Sequence, residues 1–201
     1  MSALPQPDTE YLTEEEYLAL ERESEIKHEY IDGEIYAMTG GSEPHILIGV
    51  NLTRELSNRL RKSGCITYNS EMRVRITPTR NYTYPDVTVV CGERELVEDE
   101  TIATLLNPTI IIEVLSPSTE AYDRGKKFQE YRKLDSLKEY VLVAQDEARI
   151  ERFTRNADNT WVLSTVEGVD AHFRFSSIDV ELVLEDVFEG VEFEGKRDSL
   201  E

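Results

Sequence analysis

Two carboxylates stand within apolar stretches of the chain, where an unpaired charge is unfavourable. Asp86 interrupts TYPDVTVVC at residues 83–91, and Glu113 interrupts TIIIEVL at residues 109–115. A buried carboxylate is stable only when a metal ion, a cation or strong hydrogen bonds compensate for its lost hydration. Taken alone, either residue could also be part of a structural ion pair or lie at the end of a strand.

Both stretches are typical of strands that lie in the middle of a sheet and are buried on both faces. If the two strands are neighbours, both side chains can converge on one hard cation. Oxygen ligands with water at the remaining positions suit Mg²⁺ or Mn²⁺. The sequence therefore predicts a Mg²⁺ or Mn²⁺ site at Asp86 and Glu113.

The next predicted helix, at residues 121–134, offers a lysine to the same site. Lys127 and Tyr131 are four positions apart and share one helix face. Because the helix begins close to the C-terminal end of the Glu113 strand, a lysine there could reach a phosphate or an attacking water. The alternative is that Lys127 only pairs with Asp123 on the surface, an interaction that contributes little stability.

The elements that must position these residues alternate between helices and strands. Thr13 and Glu16 predict a capped N-terminal helix, and Asp32-Gly33 predicts a hairpin. An amphipathic helix is predicted over residues 44–61. Further strands are predicted at 66–68, 72–76 and 139–144, and in RIERFTR, TWVLSTV and IDVELVLEDVF. This order predicts an α/β or α+β fold, a mixed sheet core flanked by helices, with an N-terminal hairpin and extra C-terminal strands.

The length of 201 residues predicts about one domain. We expect a flexible arm at residues 1–10, a single domain at 11–190 and an acidic tail at 191–201. Cys65 and Cys91 are too few for a disulfide framework and are expected to be small buried apolar side chains.

No apolar run approaches the ~18 residues that a membrane-spanning helix needs, so no membrane partner is predicted. The N-terminus lacks the basic region and apolar core of a secretory signal. We therefore expect a cytoplasmic protein.

The charge balance is strongly acidic. Lys and Arg total 22 against 41 Asp and Glu, which gives a formal net charge of −19. Such a surface repels phosphate backbones on average, although it is compatible with a local basic groove. The residues that could form a basic rim around the predicted pocket are Arg73, Arg75, Arg80, Lys126, Arg132 and Lys133.

Several of these segments together resemble one large protein family. They are Tyr84-Pro85-Asp86-Val87, the run from Ile112 to Thr119, Asp123 to Lys127 with Tyr131, Glu139-Tyr140 before a strand, and the hairpin EYIDGEIYAMTG followed by His45. The family is that of the restriction endonuclease-like proteins abundant in cyanobacteria, within the PD-(D/E)XK nuclease superfamily. The resemblance spans nearly the whole chain, about Tyr11 to Phe188.

The resemblance implies a mixed sheet with flanking helices in the order α-β-β-β-α-β. It makes Asp86 the aspartate of the PD motif and Glu113 the (D/E) residue. These two carboxylates and the backbone carbonyl of Val114 would then hold the metal ion.

The expected position of the family's lysine is occupied by another residue. The consensus lysine would stand two residues after Glu113, where this chain has Leu115. Lys127 in the next helix is the best match for a displaced lysine, and Lys126 is the alternative.

Glu29 and His45 are weaker candidates for the site. Glu29 opens the hairpin and could add a carboxylate, or it is a surface strand residue. His45 follows Pro44 at a helix start and could line the cleft, or it only caps or packs. Tyr131 is expected to pack beneath the site.

The function predicted from this resemblance is metal-dependent hydrolysis of phosphodiester bonds by an endonuclease, with DNA favoured over RNA as substrate. A homodimer is expected, since two copies could cut both strands. The alternatives are a catalytically inactive interaction protein on a nuclease-like scaffold and a hydrolase of small phosphate esters. The strands after Arg149 could cover one side of the sheet or contact a second copy.

Overall fold

The computed structural model describes residues 11–38, 40–97 and 102–193. The predicted arm at residues 1–10 lies outside the described residues, as does the predicted tail beyond residue 193. Within the described ranges, no helix is long and apolar enough to cross a membrane.

Local sequence signals set the start of the two long helices. α1 covers Glu14–Glu23, and the predicted capping box forms between Thr13 and Glu16. α2 covers Glu43–Arg59 and begins at the N-cap Ser42. The shorter helical segments are α3 (Glu120–Tyr122), a π-helical turn (Asp123–Lys127), α4 (Phe128–Tyr131) and α5 (Leu184–Val187).

The strands of the described residues follow the predicted order, with additions. They are β1 His28–Ile31, β2 Glu34–Ala37, β3 Cys65–Asn69, β4 Arg73–Ile76, β5 Asn81–Thr83, β6 Val87–Cys91, β7 Thr104–Leu105, β8 Ile110–Leu115, β9 Glu139–Ala144, β10 Arg149–Arg155, β11 Trp161–Glu167, β12 His172–Phe175 and β13 Val180–Val183.

The largest described sheet has six strands in the order β11-β10-β9-β8-β6-β3. β8 and β9 are parallel, and the other neighbouring pairs of this sheet are antiparallel. The N-terminal hairpin β1-β2 belongs to a separate sheet with the order β2-β1-β5-β4-β7, and β12 pairs with β13. The mixed sheet flanked by helices confirms the predicted fold class.

The prediction of one continuous strand over residues 83–91 is wrong. β5 ends at Thr83 and belongs to the sheet of the hairpin, whereas β6 begins at Val87 in the central sheet. Pro85 lies between them, and a proline has no N–H to donate to a strand ladder. Asp86 therefore lies at the point where the chain passes from one sheet to the other.

Alternate residues of β8 face two different cores. Ile110, Ile112 and Val114 pack in the core that contains α2. Ile111 and Leu115 face the opposite core, which the helical segment at residues 120–131 covers through Phe128 and Tyr131. Since successive strand side chains alternate between faces, Glu113 shares the face of Ile111 and Leu115.

The two cysteines do not behave as predicted. Cys65 and Cys91 are opposite each other in the β3-β6 ladder, form a disulfide and are only partly buried. Directly opposed residues of an antiparallel pair bring their Cβ atoms close together, which permits the bond. The prediction of separate, buried apolar thiols is therefore wrong.

Candidate active site

Four separate elements bring charged side chains to one cleft of about 1450 Å³. Glu29 comes from β1, Asp86 from the residue just before β6, Glu113 from β8 and Lys127 from the π-helical turn. Each of these side chains lines the cleft, and so does His45 near the start of α2. The structure thus gathers most of the predicted site residues in one place.

Lys127 lies at the centre of a buried charge cluster. Its Nζ is 2.9 Å from Oε1 of Glu113, 3.0 Å from Oε1 of Glu29 and 3.6 Å from Oδ1 of Asp123. Only 6% of Lys127 and 3% of Glu113 are exposed. The alternative prediction that Lys127 only makes a surface pair with Asp123 is therefore wrong.

The π-helical turn Asp123–Lys127 interrupts the predicted helix. It directs Lys127 to the interior and Lys126 to the surface. Asp123 and Lys127 both point inward and are buried. The Lys126 side chain is 43% exposed and lies 3.8 Å from the Asp32 carboxylate at the tip of the hairpin. Lys126, the alternative for the displaced lysine, lies outside the cluster. π-turns of this kind occur frequently at functional sites.

The excess of carboxylates sets the protonation states of the cluster. Burial disfavours a charged lysine, but Glu113 and Glu29 more than offset it and raise the pKa of Lys127 well above its usual value. Burial, only partly opposed by Lys127, raises the pKa of Glu113 well above its usual value and that of Asp123 to about 6. The lysine is therefore favoured as an ammonium ion, and burial makes ionisation of its neighbours Glu113 and Asp123 harder than in water.

Hydrogen bonds fix the two carboxylates that lie nearest to Lys127, those of Glu113 and Glu29. The Tyr131 hydroxyl donates to Oε1 of Glu113 over 2.8 Å. The backbone N–H of Tyr84 donates to Oε1 of Glu29 over 3.1 Å. Tyr131 was predicted only to pack beneath the site, and the structure adds this direct contact.

Asp86 is held separately, at both carboxylate oxygens. Oδ2 accepts the backbone N–H of Val114 over 2.7 Å, and Oδ1 lies 3.0 Å from Nε2 of His45. Burial disfavours a charged His45, but the hydrogen bond and charge of Asp86 outweigh it and raise the pKa of the imidazole. In the β6-β8 register Val87 pairs with Ile112, so Asp86 is the next residue, opposite Glu113.

The donor set has the chemistry of a hard-cation site. Within the described ranges, no group of three or more His, Cys, Asp or Glu side chains converges as a metal site. Mg²⁺ is often held by one or two carboxylates, with water at the remaining positions. The carboxylates of Asp86, just before β6, and of Glu113, on the neighbouring strand β8, line one cleft and fit that mode of binding.

The predicted basic rim does not form at this cleft. Arg73 is buried, and Arg75 pairs with Glu14. None of Arg73, Arg75, Arg80, Lys126, Arg132 and Lys133 lines the cleft. Of the described residues, the cations that line it are Lys27, Arg54 and Lys127.

Sequence reasoning missed Asp123 as a member of the buried cluster. The signal was present, because Asp123 and Lys127 are four positions apart on one helix face. Asp123 was considered only as the partner in the alternative surface pair, because spacing does not show how deeply a short helical segment is buried.

The fold thus combines a mixed sheet, one carboxylate just before β6, one on β8 and a lysine from the following helical segment. The Uma2 family, described as "Putative restriction endonuclease", matches residues 14–193, and the chain belongs to this family. The solved structure of "a putative nuclease belonging to DUF820" from Anabaena variabilis has the same fold. Its TM-score is 0.72 at 22% identity, and the match covers 88% of this chain and 97% of that one.

Two relatives from Synechocystis sp. (strain PCC 6803) are similar over most of their length. The "Uncharacterized protein slr1290" is 38% identical over 182 residues, which cover 90% of this chain and 94% of that protein. The "Uncharacterized protein sll1609" is 34% identical over 172 residues, which cover 86% of this chain and 97% of that protein.

Proposed function

We propose that the protein is a metal-dependent endonuclease that hydrolyses phosphodiester bonds, with DNA as its substrate. The observation that carries the proposal is the contact between Lys127 and Glu113, at 2.9 Å, in a cleft that Asp86 also lines. Membership of the Uma2 family supports nuclease chemistry. Lys127, our candidate for the displaced lysine, reaches the acidic cluster from the π-helical turn, whereas Leu115 holds the consensus position.

Asp86 and Glu113 would hold Mg²⁺ or Mn²⁺ together with the backbone carbonyl of Val114. The Val114 N–H faces Asp86, and the N–H and C=O of one residue in an extended strand point to the same side. The Val114 carbonyl would thus face the same side of β8 as the Asp86 carboxylate. When bound, the ion would polarise the phosphate and lower the pKa of a coordinated water.

Lys127 acts in this proposal as a fixed positive charge. Its pKa is raised, so at neutral pH it carries its proton and does not serve as a general base. An ammonium ion in a buried site stabilises negative charge that develops on phosphate oxygens and orients an attacking water by donating a hydrogen bond. Glu29 and Tyr131 keep the lysine and Glu113 in place.

The acidic surface requires a further source of positive potential for DNA binding. The net charge is −19, and Lys127 is already paired with carboxylates of the cluster. We therefore infer that a single copy binds DNA weakly and that a homodimer would bring a second centre to the other strand. The assembly is tested by light scattering after gel filtration, with and without a DNA duplex.

One observation favours the alternative of an inactive interaction protein. Each cation at the cleft has a carboxylate partner: Lys27 pairs with Glu71, Arg54 with Glu189, and Lys127 with Glu113. Such a cleft has little free positive charge to attract phosphate. An inactive protein would retain the fold and lack cleavage under all metal conditions.

The test compares the wild type with Glu113→Gln on supercoiled plasmid, RNA and a small chromogenic phosphodiester. We expect nicking of plasmid by the wild type with Mg²⁺ or Mn²⁺, no nicking with a chelator, and a loss of at least about 100-fold in the variant. Cleavage of the small ester alone supports the phosphate-ester hydrolase. Absence of cleavage of any substrate by a folded wild type overturns the proposal.

A further inference from the structure

We propose that His45 is the positioning residue for Asp86. The absence of a side chain at Gly41 leaves the room that the His45 ring needs to face Asp86. This inference rests on the proposed function, because it names a group that prepares Asp86 for metal binding. The inference concerns the orientation of the Asp86 carboxylate, and this orientation can be measured in the metal-free protein.

The two oxygens of Asp86 have separate donors from separate elements. Val114 donates from β8 to Oδ2, and Nε2 of His45 faces Oδ1 from α2. An ionised carboxylate only accepts hydrogen bonds, so the imidazole nitrogen that faces it carries the proton. With one donor at each oxygen, the plane of the carboxyl group cannot turn freely. Loss of either donor releases that rotation.

The other side of the His45 ring has no polar anchor. Its Nδ1 is buried and has no hydrogen-bond partner among the described residues. The orientation of the ring therefore depends on Asp86 and on packing. The backbone of His45 is fixed independently, since its N–H donates to the N-cap Ser42 at the start of α2.

The missing side chain at Gly41 leaves the space that the His45 ring occupies. A Cβ at position 41 would lie 2.7 Å from Cδ2 and 3.1 Å from Cγ of His45. The φ of Gly41 lies outside the left-handed range, so the backbone accepts alanine there without strain. An alanine at this position would push the ring aside and leave the imidazole chemistry unchanged. Gly41→Ala thus tests the position of the His45 ring while the ring itself is still present.

The experiment measures hydrogen exchange of the Val114 amide in metal-free protein by NMR. His45→Ala and Gly41→Ala are expected to accelerate exchange at Val114 about tenfold, because the mobile Asp86 no longer holds this N–H. His45→Gln, whose side-chain amide can donate to Oδ1, is expected to restore the wild-type rate. His172→Ala serves as the matched control, because His172 is exposed and pairs with Glu181 on β13.

A second measurement is the affinity of each variant for Mn²⁺. In calorimetric titrations with Mn²⁺ alone, His45→Ala and Gly41→Ala are expected to bind about 10–100-fold more weakly than the wild type, and His45→Gln close to it. Val114 exchange at the wild-type rate in His45→Ala overturns the inference, as does faster exchange in His45→Gln equal to that in His45→Ala. Failure of the wild type to nick DNA with unchanged exchange results overturns the proposed function and leaves the positioning role supported.

Discussion

The ammonium group of Lys127 lies 2.9 Å from Oε1 of Glu113, although the lysine comes from the following helical segment rather than from the same strand. Glu29 and Asp123 complete the surroundings of this lysine. A single cation is therefore shared by three of the described carboxylates, and its charged form is strongly favoured. Through these contacts, the Lys127 side chain links the N-terminal hairpin, the central sheet and the helical segment.

Removal of the lysine is expected to destabilise the fold. Lys127→Met leaves the carboxylates of Glu29, Glu113 and Asp123 buried without their cation, and we expect the free energy of unfolding to fall by about 3–5 kcal/mol. The measurement is urea denaturation followed by circular dichroism. Lys126→Met is the matched control, and a change within about 0.5 kcal/mol is expected there because its pairing is at the surface. Equal effects of the two substitutions would contradict the structure.

The hydroxyl of Tyr131 is expected to stabilise the fold through its hydrogen bond to Glu113. Tyr131→Phe removes a buried donor to a carboxylate, and the free energy of unfolding should fall by about 1.5–3 kcal/mol. Tyr122→Phe is the control, because the Tyr122 hydroxyl is buried without a partner among the described residues. Urea melts of the two variants should differ clearly, and a larger loss from the Tyr122 substitution would refute this assignment.

The pKa of Asp123 predicts a dependence of stability on pH. Burial raises the pKa of this carboxyl to about 6 in the folded protein, so its stabilising contribution is complete at low pH and is lost as pH rises through that value. Asp123→Asn does not titrate. The free energy of unfolding of the wild type minus that of the variant should therefore decrease from about pH 4 to about pH 6.5 and stay level above it. Urea melts across this range test the sign, and a difference that increases with pH would rule out a raised pKa.

The disulfide between Cys65 and Cys91 is expected to stabilise the edge of the central sheet. It closes a sequence separation of 26 residues, for which the loop entropy predicts about 3.5 kcal/mol. The unreduced protein should show no free thiol after denaturation, and reduction should expose both and lower the melting temperature. Two reactive thiols in denatured protein that was never reduced would show that the bond is absent.

Much of the fold was predictable because local signals were strong. The capping box at Thr13, the hairpin at Asp32-Gly33 and the apolar runs of β8 and β9 are each encoded by a few adjacent residues. The short strands β7 and β12 were missed, since neither has a long apolar run. The break at Pro85 was underestimated because apolar residues continue on both sides of it.

The residues of the site were predictable by type, but their contacts were not. Asp86 and Glu113 stood out because charge is rare within apolar strands, and Lys127 followed from helical spacing. The contact of Glu29 with Lys127 depends on how the hairpin sheet packs against the helical segment, which no local pattern encodes. The predicted basic rim is wrong for the same reason. Arg73 is buried and Arg75 pairs with Glu14, and their places in the sequence do not show this.

The most direct test of the central claim is the initial rate at which Lys127→Met and Lys126→Met nick supercoiled plasmid in Mg²⁺, measured beside the wild type at a temperature where all three are folded. We expect Lys126→Met to nick like the wild type and Lys127→Met to lose at least about 100-fold, because Lys127 contacts Glu113 and Lys126 lies outside the cluster. Nicking by Lys127→Met at the wild-type rate would show that Lys127 has no part in cleavage.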